Sequence, residues 1–151
     1  MPNHFHLVLR ERNEKGITEF IRKVCTGYSM YFNLRHDHSG TLFQGKFRSN
    51  HIDNDPYFKW IFAYVHLNPI ALVDPNWEEK DIKDTNKALT TLNNYRYSSF
   101  YDFYTAERPE RNILAYNETL HYIDRAQEIG ALVRGYRRGS SLYPTFTPNR
   151  A

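Results

Sequence analysis

The sequence contains little cysteine and no long apolar run. Its 151 residues include one cysteine, Cys25, which excludes a framework of internal disulfides and fits a reducing compartment. The opening residues Met-Pro-Asn-His show no basic segment followed by an apolar run, so no signal peptide is expected. No apolar stretch approaches the roughly 20 residues that a membrane helix needs. We therefore expect a cytoplasmic protein with no membrane partner.

Several common functional motifs are also missing. The sequence has no G-x-x-x-x-G-K-[ST] phosphate loop, no G-x-G-x-x-G dinucleotide motif and no G-x-S-x-G nucleophile motif. The single cysteine cannot supply the thiolate pairs of a zinc finger, and the histidines at 36 and 38 have no matching pair elsewhere. We therefore find no sign of the usual nucleotide-binding, serine hydrolase or structural zinc classes.

Aromatic residues are abundant, and the charge is unevenly distributed. Aromatics make up 16% of the chain, with 12 Tyr and 10 Phe, and such rings either pack in a core or stack on unpaired bases. Residues 1–51 hold eight Lys and Arg against four acidic residues, a net charge of +4, whereas the remainder has a net charge of −1. A basic first third favours a polyanionic partner, although charge alone leaves an ordinary solvated surface equally open.

The first 52 residues have the periodicity of two strands and a helix. Residues 4–12 (HFHLVLRER) and 41–52 (TLFQGKFRSNHI) alternate as strands do, and Gly45 in the second predicts a bulge or a close backbone approach. Apolar residues recur at steps of three and four over residues 18–35, which predicts a helix.

A second helix is predicted to end at Pro69. Asp53 or Asp55 is expected to cap it, and Pro56 suits its first turn. The composition then changes, and we predict three parts: a core at 1–75, a helical extension at 76–133 and a flexible basic tail at 134–151.

Two residue pairs have the spacing needed for chemistry. His4 and His6 would point to the same side of a strand, so both imidazoles could bind one metal ion. Tyr64 and Asn68 lie one helical turn apart, where a metal-assisted tyrosine nucleophile and an amide oxygen ligand would meet. On spacing alone, surface histidines and a core tyrosine explain both pairs better.

Four short segments in series add a more specific signal. They are MPNHFHLVL at 1–9, SGTLFQGKFRS at 39–49, YVHLNP at 64–69 and YRYSSFY at 95–101. Their sequences, order and spacing resemble those of the REP-associated tyrosine transposases, a branch of the single-tyrosine HUH (histidine-hydrophobe-histidine) transposases. The resemblance covers roughly residues 1–104.

The resemblance implies an α+β fold, a ferredoxin-like antiparallel sheet with helices on one face, and a homodimer. It implies a DNA transposase that cleaves and rejoins single-stranded DNA near hairpins through a 5′-phosphotyrosine. Tyr64 would be the nucleophile, and His4, His6 and Asn68 would bind Mg²⁺ or Mn²⁺. The residues expected to bind DNA are Arg10, Gln44, Lys46 and Arg48.

The sequence departs from the family pattern in three places. The family has a strand, a helix and a further strand before the histidine motif, so we expect the first elements of the fold to be missing here. The segment at 68–73 (NPIALV) lacks the arginine of the family, and His66 occupies a position that is often acidic or polar. These departures leave an alternative open, a non-catalytic remnant that binds single-stranded nucleic acid.

Overall fold

The computed structural model describes residues 3–80, 82–123, 131–134 and 136, and their regular structure is helical. The α-helices in this part of the chain are α1 (Gly16–His36), α2 (Asp55–Leu67), α3 (Thr85–Asn94), α4 (Phe100–Tyr104) and α5 (Tyr116–Leu120). Two 3₁₀ helices span Asn68–Leu72 and Pro109–Ile113. Residues 131–134 and 136 are also helical. None of the helices described is long and apolar enough to cross a membrane.

The predicted ferredoxin-like sheet is wrong, because the described residues contain no β-strand and no sheet. Both segments predicted as strands, 4–12 and 41–52, have irregular backbone. Phe5 and Leu7 belong to one alternating set and Val8 to the other, yet all three are between 36% and 49% exposed. Alternation only assigns side chains to faces. A sheet also requires a paired neighbouring strand and a layer that covers its apolar face.

The chain divides into two compact units, whose boundaries differ from the three predicted parts. Unit 1 comprises Met1–His6 and Ile52–Ala151, and unit 2 comprises Leu7–His51. The predicted helical extension thus belongs to the same unit as α2. Of the predicted flexible tail, the structure describes Arg134 and Tyr136, and Tyr136 is helical and only 2% exposed. The rest of that prediction, 135 and 137–151, lies outside the described residues.

Helix α2 is at the centre of unit 1 because it buries side chains in two directions. Phe62 packs in a cluster with Phe103 and Tyr116. Residues from the other side of α2 join a larger cluster with α3, α4 and the helical residues near 132, made of Trp60, Ala63, Tyr64, Leu67, Ile70, Trp77, Ala88, Leu92, Phe100, Leu132 and Tyr136. A helix that is apolar on both sides is a core helix, and its residues are held by packing from several elements.

Both ends of α2 follow from local chemistry. The side chain of Asn54 accepts a hydrogen bond of 2.8 Å from the Tyr57 N–H, and Pro56 occupies the first turn. Asn54 is therefore the cap, rather than Asp53 or Asp55. At the other end α2 stops at Leu67, two residues before Pro69, and the chain continues as a 3₁₀ helix.

Unit 2 is built around α1, which confirms the helix predicted over 18–35. Only Ile21 of this helix is buried. Its exposed large side chains are Phe20, Val24, Tyr28, Met30, Tyr31 and Leu34. The segment after α1 turns at Gly40 and Gly45, both of which have positive φ. Gly45 was predicted to mark a strand bulge and instead lies in a left-handed turn of the irregular segment, a conformation that favours glycine.

Candidate functional site

The end of α2 brings Tyr64 and Asn68 together in unit 1. Both side chains are buried, at 5% exposure each. The backbone N–H of Asn68 donates to the carbonyl of Tyr64, so the two residues are separated by one helical hydrogen bond. The Asn68 side chain also forms a hydrogen bond with the Tyr64 hydroxyl. The one-turn spacing in the sequence thus places an amide beside a phenol.

Other aromatic rings hold the ring of Tyr64 in place. It stacks on Trp60, with ring centroids 6.0 Å apart and planes 16° apart, and on Tyr136, at 6.0 Å and 24°. The indole N–H of Trp60 donates to the carbonyl of Tyr136 over 3.0 Å, which links α2 to the helical residues near 132. The rotation of the Tyr64 ring is therefore restricted by neighbours from two parts of the sequence.

The two predicted metal-binding histidines lie together and next to the tyrosine. The rings of His4 and His6 are 5.1 Å apart at 81°, and the ring of His6 meets that of Tyr64 at 5.5 Å and 71°. His4 is exposed, and its Nδ1–H donates to the Asn3 side-chain oxygen over 2.8 Å. That tautomer leaves the Nε2 lone pair of His4 available as a ligand. The two histidines converge although the segment is not a strand.

Both imidazoles have a lowered pKa and are mainly neutral near pH 7. Burial is the main cause that lowers the pKa of His6 to about 4, and the neighbouring His4 acts in the same direction. Burial also lowers the pKa of His4. A metal ion binds the neutral imidazole, so neither ring would have to lose a proton first.

The hydroxyl of Tyr64 has a raised pKa in this environment and is protonated at neutral pH. Burial is the main cause that raises its pKa to about 12, and the negative charge of Glu78 acts in the same direction. The hydrogen bond from Asn68 opposes them by favouring the phenolate. At neutral pH the phenol is therefore a weak nucleophile, unless a cation stabilises the developing phenolate.

An amide oxygen completes the donor atoms at this place. The side-chain oxygen of Asn68 is buried and has no hydrogen-bond partner among the described residues. In the same part of the chain, no group of three or more His, Cys, Asp or Glu residues could hold a metal ion. The candidate donors are thus the two imidazoles, whose ring centroids are 5.1 Å apart, and the amide oxygen of the residue that bonds to Tyr64. These donors fit a divalent ion that accepts both nitrogen and oxygen and keeps water or substrate in its other positions.

The residues predicted to bind DNA belong to unit 2. They are all exposed side chains, and they comprise Arg10, Gln44, Lys46 and Arg48. Arg10 precedes α1, and the other three follow it in the irregular segment that was predicted as a strand. These side chains are exposed to solvent, although they do not line the face of a sheet.

Sequence reasoning missed Tyr136 and Glu78. Tyr136 forms a hydrogen bond with Glu78 and stacks on Tyr64, and burial together with Glu78 raises the pKa of Tyr136. Tyr136 lies in a segment rich in Arg, Gly and Ser, which carries no helical period that could have predicted its burial. Glu78 lies in an acidic stretch that reads as a solvated loop, and it is exposed.

His66 is a buried residue of α2 with two internal hydrogen bonds. Its Nδ1–H donates to the Phe62 carbonyl over 2.7 Å, and its Nε2 accepts from the Ser99 hydroxyl over 2.8 Å. Burial lowers the pKa of His66 to about 4. The ring joins α2 to the start of α4 and lies between Tyr64 and Asn68 in the sequence. Both ring nitrogens of His66 therefore have hydrogen-bond partners inside the protein.

Comparison with known proteins adds no family assignment to this geometry. No family model matches the chain, and no curated protein and no solved structure matches it. The cluster of His4, His6, Tyr64 and Asn68 is therefore the feature that bears on function.

Proposed function

We propose that this protein is a DNA transposase that cleaves and rejoins single-stranded DNA near hairpins, with Tyr64 as the nucleophile. The observation that carries the proposal is one cluster within unit 1. The ring of Tyr64 contacts His6 at 5.5 Å, and its hydroxyl bonds to the Asn68 side chain. These residues come from two segments 58 positions apart, and a core tyrosine alone would not require a histidine ring and an amide next to it.

The reaction is a transfer of a phosphoryl group to tyrosine. The hydroxyl oxygen of Tyr64 attacks the phosphorus of a phosphodiester and loses its proton, and a new P–O bond forms. The bond from phosphorus to the 3′ oxygen breaks, and that oxygen leaves as a 3′-OH after taking up a proton. The product is a 5′-phosphotyrosine, which keeps the energy of the broken bond so that a 3′-OH can later rejoin the strand. Asn68 orients the hydroxyl for attack.

His4, His6 and Asn68 would hold the divalent ion, Mg²⁺ or Mn²⁺. When bound, such an ion would neutralise charge on the phosphate and stabilise the leaving oxygen. The chain's own residues prepare for it in two ways. Burial keeps the imidazoles neutral, and it leaves the oxygen of Asn68 without a partner in the described part of the chain.

The positive charge of unit 2 supports the proposed DNA partner. Arg10, Lys46 and Arg48 would contact backbone phosphates, and Gln44 would donate a further hydrogen bond. The proposed partner is single-stranded DNA with a hairpin, and the protein would act as a homodimer. Because phosphate contacts release counterions, the affinity for such DNA should fall steeply as salt rises.

A second candidate is a non-catalytic protein that binds single-stranded nucleic acid, and the burial of Tyr64 favours it. Only 5% of this residue is exposed, and burial raises the pKa of its hydroxyl to about 12. The transposase therefore requires the side chains around Tyr64 to shift when DNA binds. The non-catalytic binding protein, which would be a remnant of a transposase, requires no such shift.

A denaturing gel separates the two candidates. The protein is incubated with Mn²⁺ and a 3′-labelled hairpin oligonucleotide, because a 5′-phosphotyrosine retains the fragment that carries the 3′ end. We expect a slow covalent band for the unsubstituted protein and for Tyr104→Phe, and no band for Tyr64→Phe or His6→Ala. Tyr104 is a matched control, since burial raises the pKa of this tyrosine to about 12 as well.

Each other outcome has a definite meaning. Binding without a band, in a protein that is folded by circular dichroism, would support the remnant. A band that persists in Tyr64→Phe would show that another residue is the nucleophile and would overturn the proposal.

A further inference from the structure

One side of α1 in unit 2 carries aromatic rings that are open to solvent. We call it the aromatic face, and its members are Phe20, Val24, Tyr28, Tyr31 and Arg35. At 3.6 residues per turn these positions fall within an arc of about 80°. Tyr28 is 51% exposed and Tyr31 is 61% exposed, and Arg35 is exposed at the end of the same row. Large rings on a helix usually cover a core, so this exposure calls for a partner.

The ring of Tyr28 has three aromatic neighbours. Its centroid lies 6.3 Å from that of Phe32, 6.1 Å from that of Phe43 and 6.5 Å from that of Tyr31. Phe32 and Phe43 are partly buried, so Tyr28 packs against rings that are less exposed than itself. A ring that is supported on one side and open on the other can accept a flat ligand at little cost in side-chain entropy.

Positive charge lies close to these rings. Phe43 contacts Tyr28, and Lys46 follows Phe43 by three residues, so their backbones are at most about 11 Å apart. Lys46 is exposed, and Arg35 lies on the aromatic face itself. Residues 7–51, which form unit 2, carry eight Lys and Arg against four acidic residues.

We infer that the aromatic face of α1 binds unpaired bases of a nucleic-acid strand by stacking on Tyr28 and Tyr31, while Arg35 and Lys46 contact its phosphates. Flat rings beside cations match a single strand, which presents bases and a negative backbone together. A second copy of this chain fits less well, because a symmetric contact through this face would bring like charges against one another. The inference rests on the proposed function, since it assigns the contacts that capture the single-stranded substrate.

Equilibrium binding tests the inference without the cleavage reaction. We would use the full chain with Tyr64→Phe and measure the fluorescence anisotropy of a labelled, unpaired oligonucleotide at fixed salt. Adding Tyr28→Leu and Tyr31→Leu together should weaken binding by about 30-fold or more, because each stacked base is typically worth about 5-fold to 150-fold in affinity. Tyr28→Trp with Tyr31→Trp should keep the affinity, since indole also stacks.

Matched controls separate stacking from general hydrophobic contact. Met30 and Leu34 lie on the same helix and are 68% and 88% exposed, more than either tyrosine. Met30→Ala with Leu34→Ala should leave the affinity unchanged, because these side chains have no ring. An oligonucleotide with abasic sites should bind the protein more weakly than the intact one, and this difference should vanish in the Tyr28→Leu, Tyr31→Leu variant.

Several results would overturn the inference. Unchanged affinity in the leucine variant would do so, and so would an equal loss in the Met30 and Leu34 control. A loss of dimer in sedimentation, with nucleic-acid binding intact, would assign the face to a second copy instead. The abasic comparison needs no new substitution, so it tests stacking even if a variant fails to fold.

The covalent band of the unsubstituted protein reports on the transposase separately. If the band forms and the leucine variant keeps its affinity, only the stacking is overturned. If binding depends on the rings and no band forms, only the catalysis is overturned.

Discussion

The two units use aromatic side chains in opposite ways. In unit 1 the rings of Trp60, Trp77 and Tyr136 are 1–3% exposed. Trp60 and Tyr136 stack on Tyr64, and Trp77 contacts Tyr136. In unit 2 the rings of Tyr28 and Tyr31 are more than half exposed. The same residue types therefore form a core in one unit and a surface in the other. Burial depends on which other segments reach the ring, and an aromatic residue by itself predicts neither role.

The two long helices show the same contrast. Helix α2 has 13 residues and buries six of them, whereas α1 has 21 residues and buries only Ile21. Both have apolar residues at steps of three and four. The shorter helix is covered from two sides by clusters that include distant residues of the chain. Most of the stability of unit 1 should therefore come from tertiary packing, and α1 should depend more on its own backbone and local contacts.

The largest expected effect is a loss of stability on truncating a core leucine. Leu92 is 0% exposed in unit 1, and Leu34 is 88% exposed in unit 2. Leu92→Ala should lower the free energy of unfolding by about 2–5 kcal/mol, because it removes buried methyl groups and leaves a cavity. Leu34→Ala should change it by less than about 0.5 kcal/mol. Urea unfolding monitored by circular dichroism measures both, and equal effects would refute the contrast between the units.

A second effect concerns pH and is carried by His66. Burial lowers the pKa of His66 from its ordinary value of 6.5 to about 4. As pH falls from about 6.5 to 4, His66 takes up a proton in the unfolded chain but stays neutral in the folded chain. Stability present above pH 6.5 is therefore lost on acidification, by about 3 kcal/mol at 1.4 kcal/mol per pKa unit. Between pH 6.5 and 4, the free energy of unfolding of His66→Gln should therefore fall by about 3 kcal/mol less than that of the unsubstituted protein.

The matched control for His66 is the exposed His36 of unit 2. His36→Gln should change the free energy of unfolding by less than about 0.5 kcal/mol, because this side chain is exposed. If His66→Gln left the pH dependence of stability unchanged, the neutral buried imidazole would be the wrong description.

The smallest expected effect compares one ion pair in each unit. Arg108 forms two hydrogen bonds of 2.8 and 2.9 Å with Asp102, whose side chain is 2% exposed. Lys23 and Glu19 in α1 are 3.6 Å apart and mostly exposed. Arg108→Met should cost about 2 kcal/mol, because it leaves a buried carboxylate without its partner. Lys23→Met should cost less than about 0.5 kcal/mol. Thermal unfolding checks both, and similar shifts in Tm would contradict the argument.

Much of the local structure could be predicted because its causes are local. The apolar repeat over residues 18–35 predicted α1. Pro56 indicated the first turn of α2 and Pro69 indicated its end. The cap itself was missed, since the side chains of Asp53, Asn54 and Asp55 can all accept a hydrogen bond. The choice of Asn54 depends on the backbone angles at that residue, which composition does not specify.

The proximity of the candidate residues could be predicted in part. The one-turn spacing of Tyr64 and Asn68 and the two-residue spacing of His4 and His6 correctly paired their members. The contact between the pairs, from His6 to Tyr64, joins residues 58 positions apart and required the fold. The metal, the nucleophile and the DNA partner that the resemblance implies remain predictions, which the experiments above test.

The sequence alone determined where the long helices form, because helical hydrogen bonds and caps involve residues at most four positions apart. Only the tertiary structure decided that the alternating segments form no sheet in the described part of the chain. A strand needs a neighbouring strand to pair with, and an alternating pattern does not identify that neighbour. It also decided which rings are buried. Trp60 reaches the carbonyl of Tyr136 across 76 residues, and no local pattern carries information over that distance.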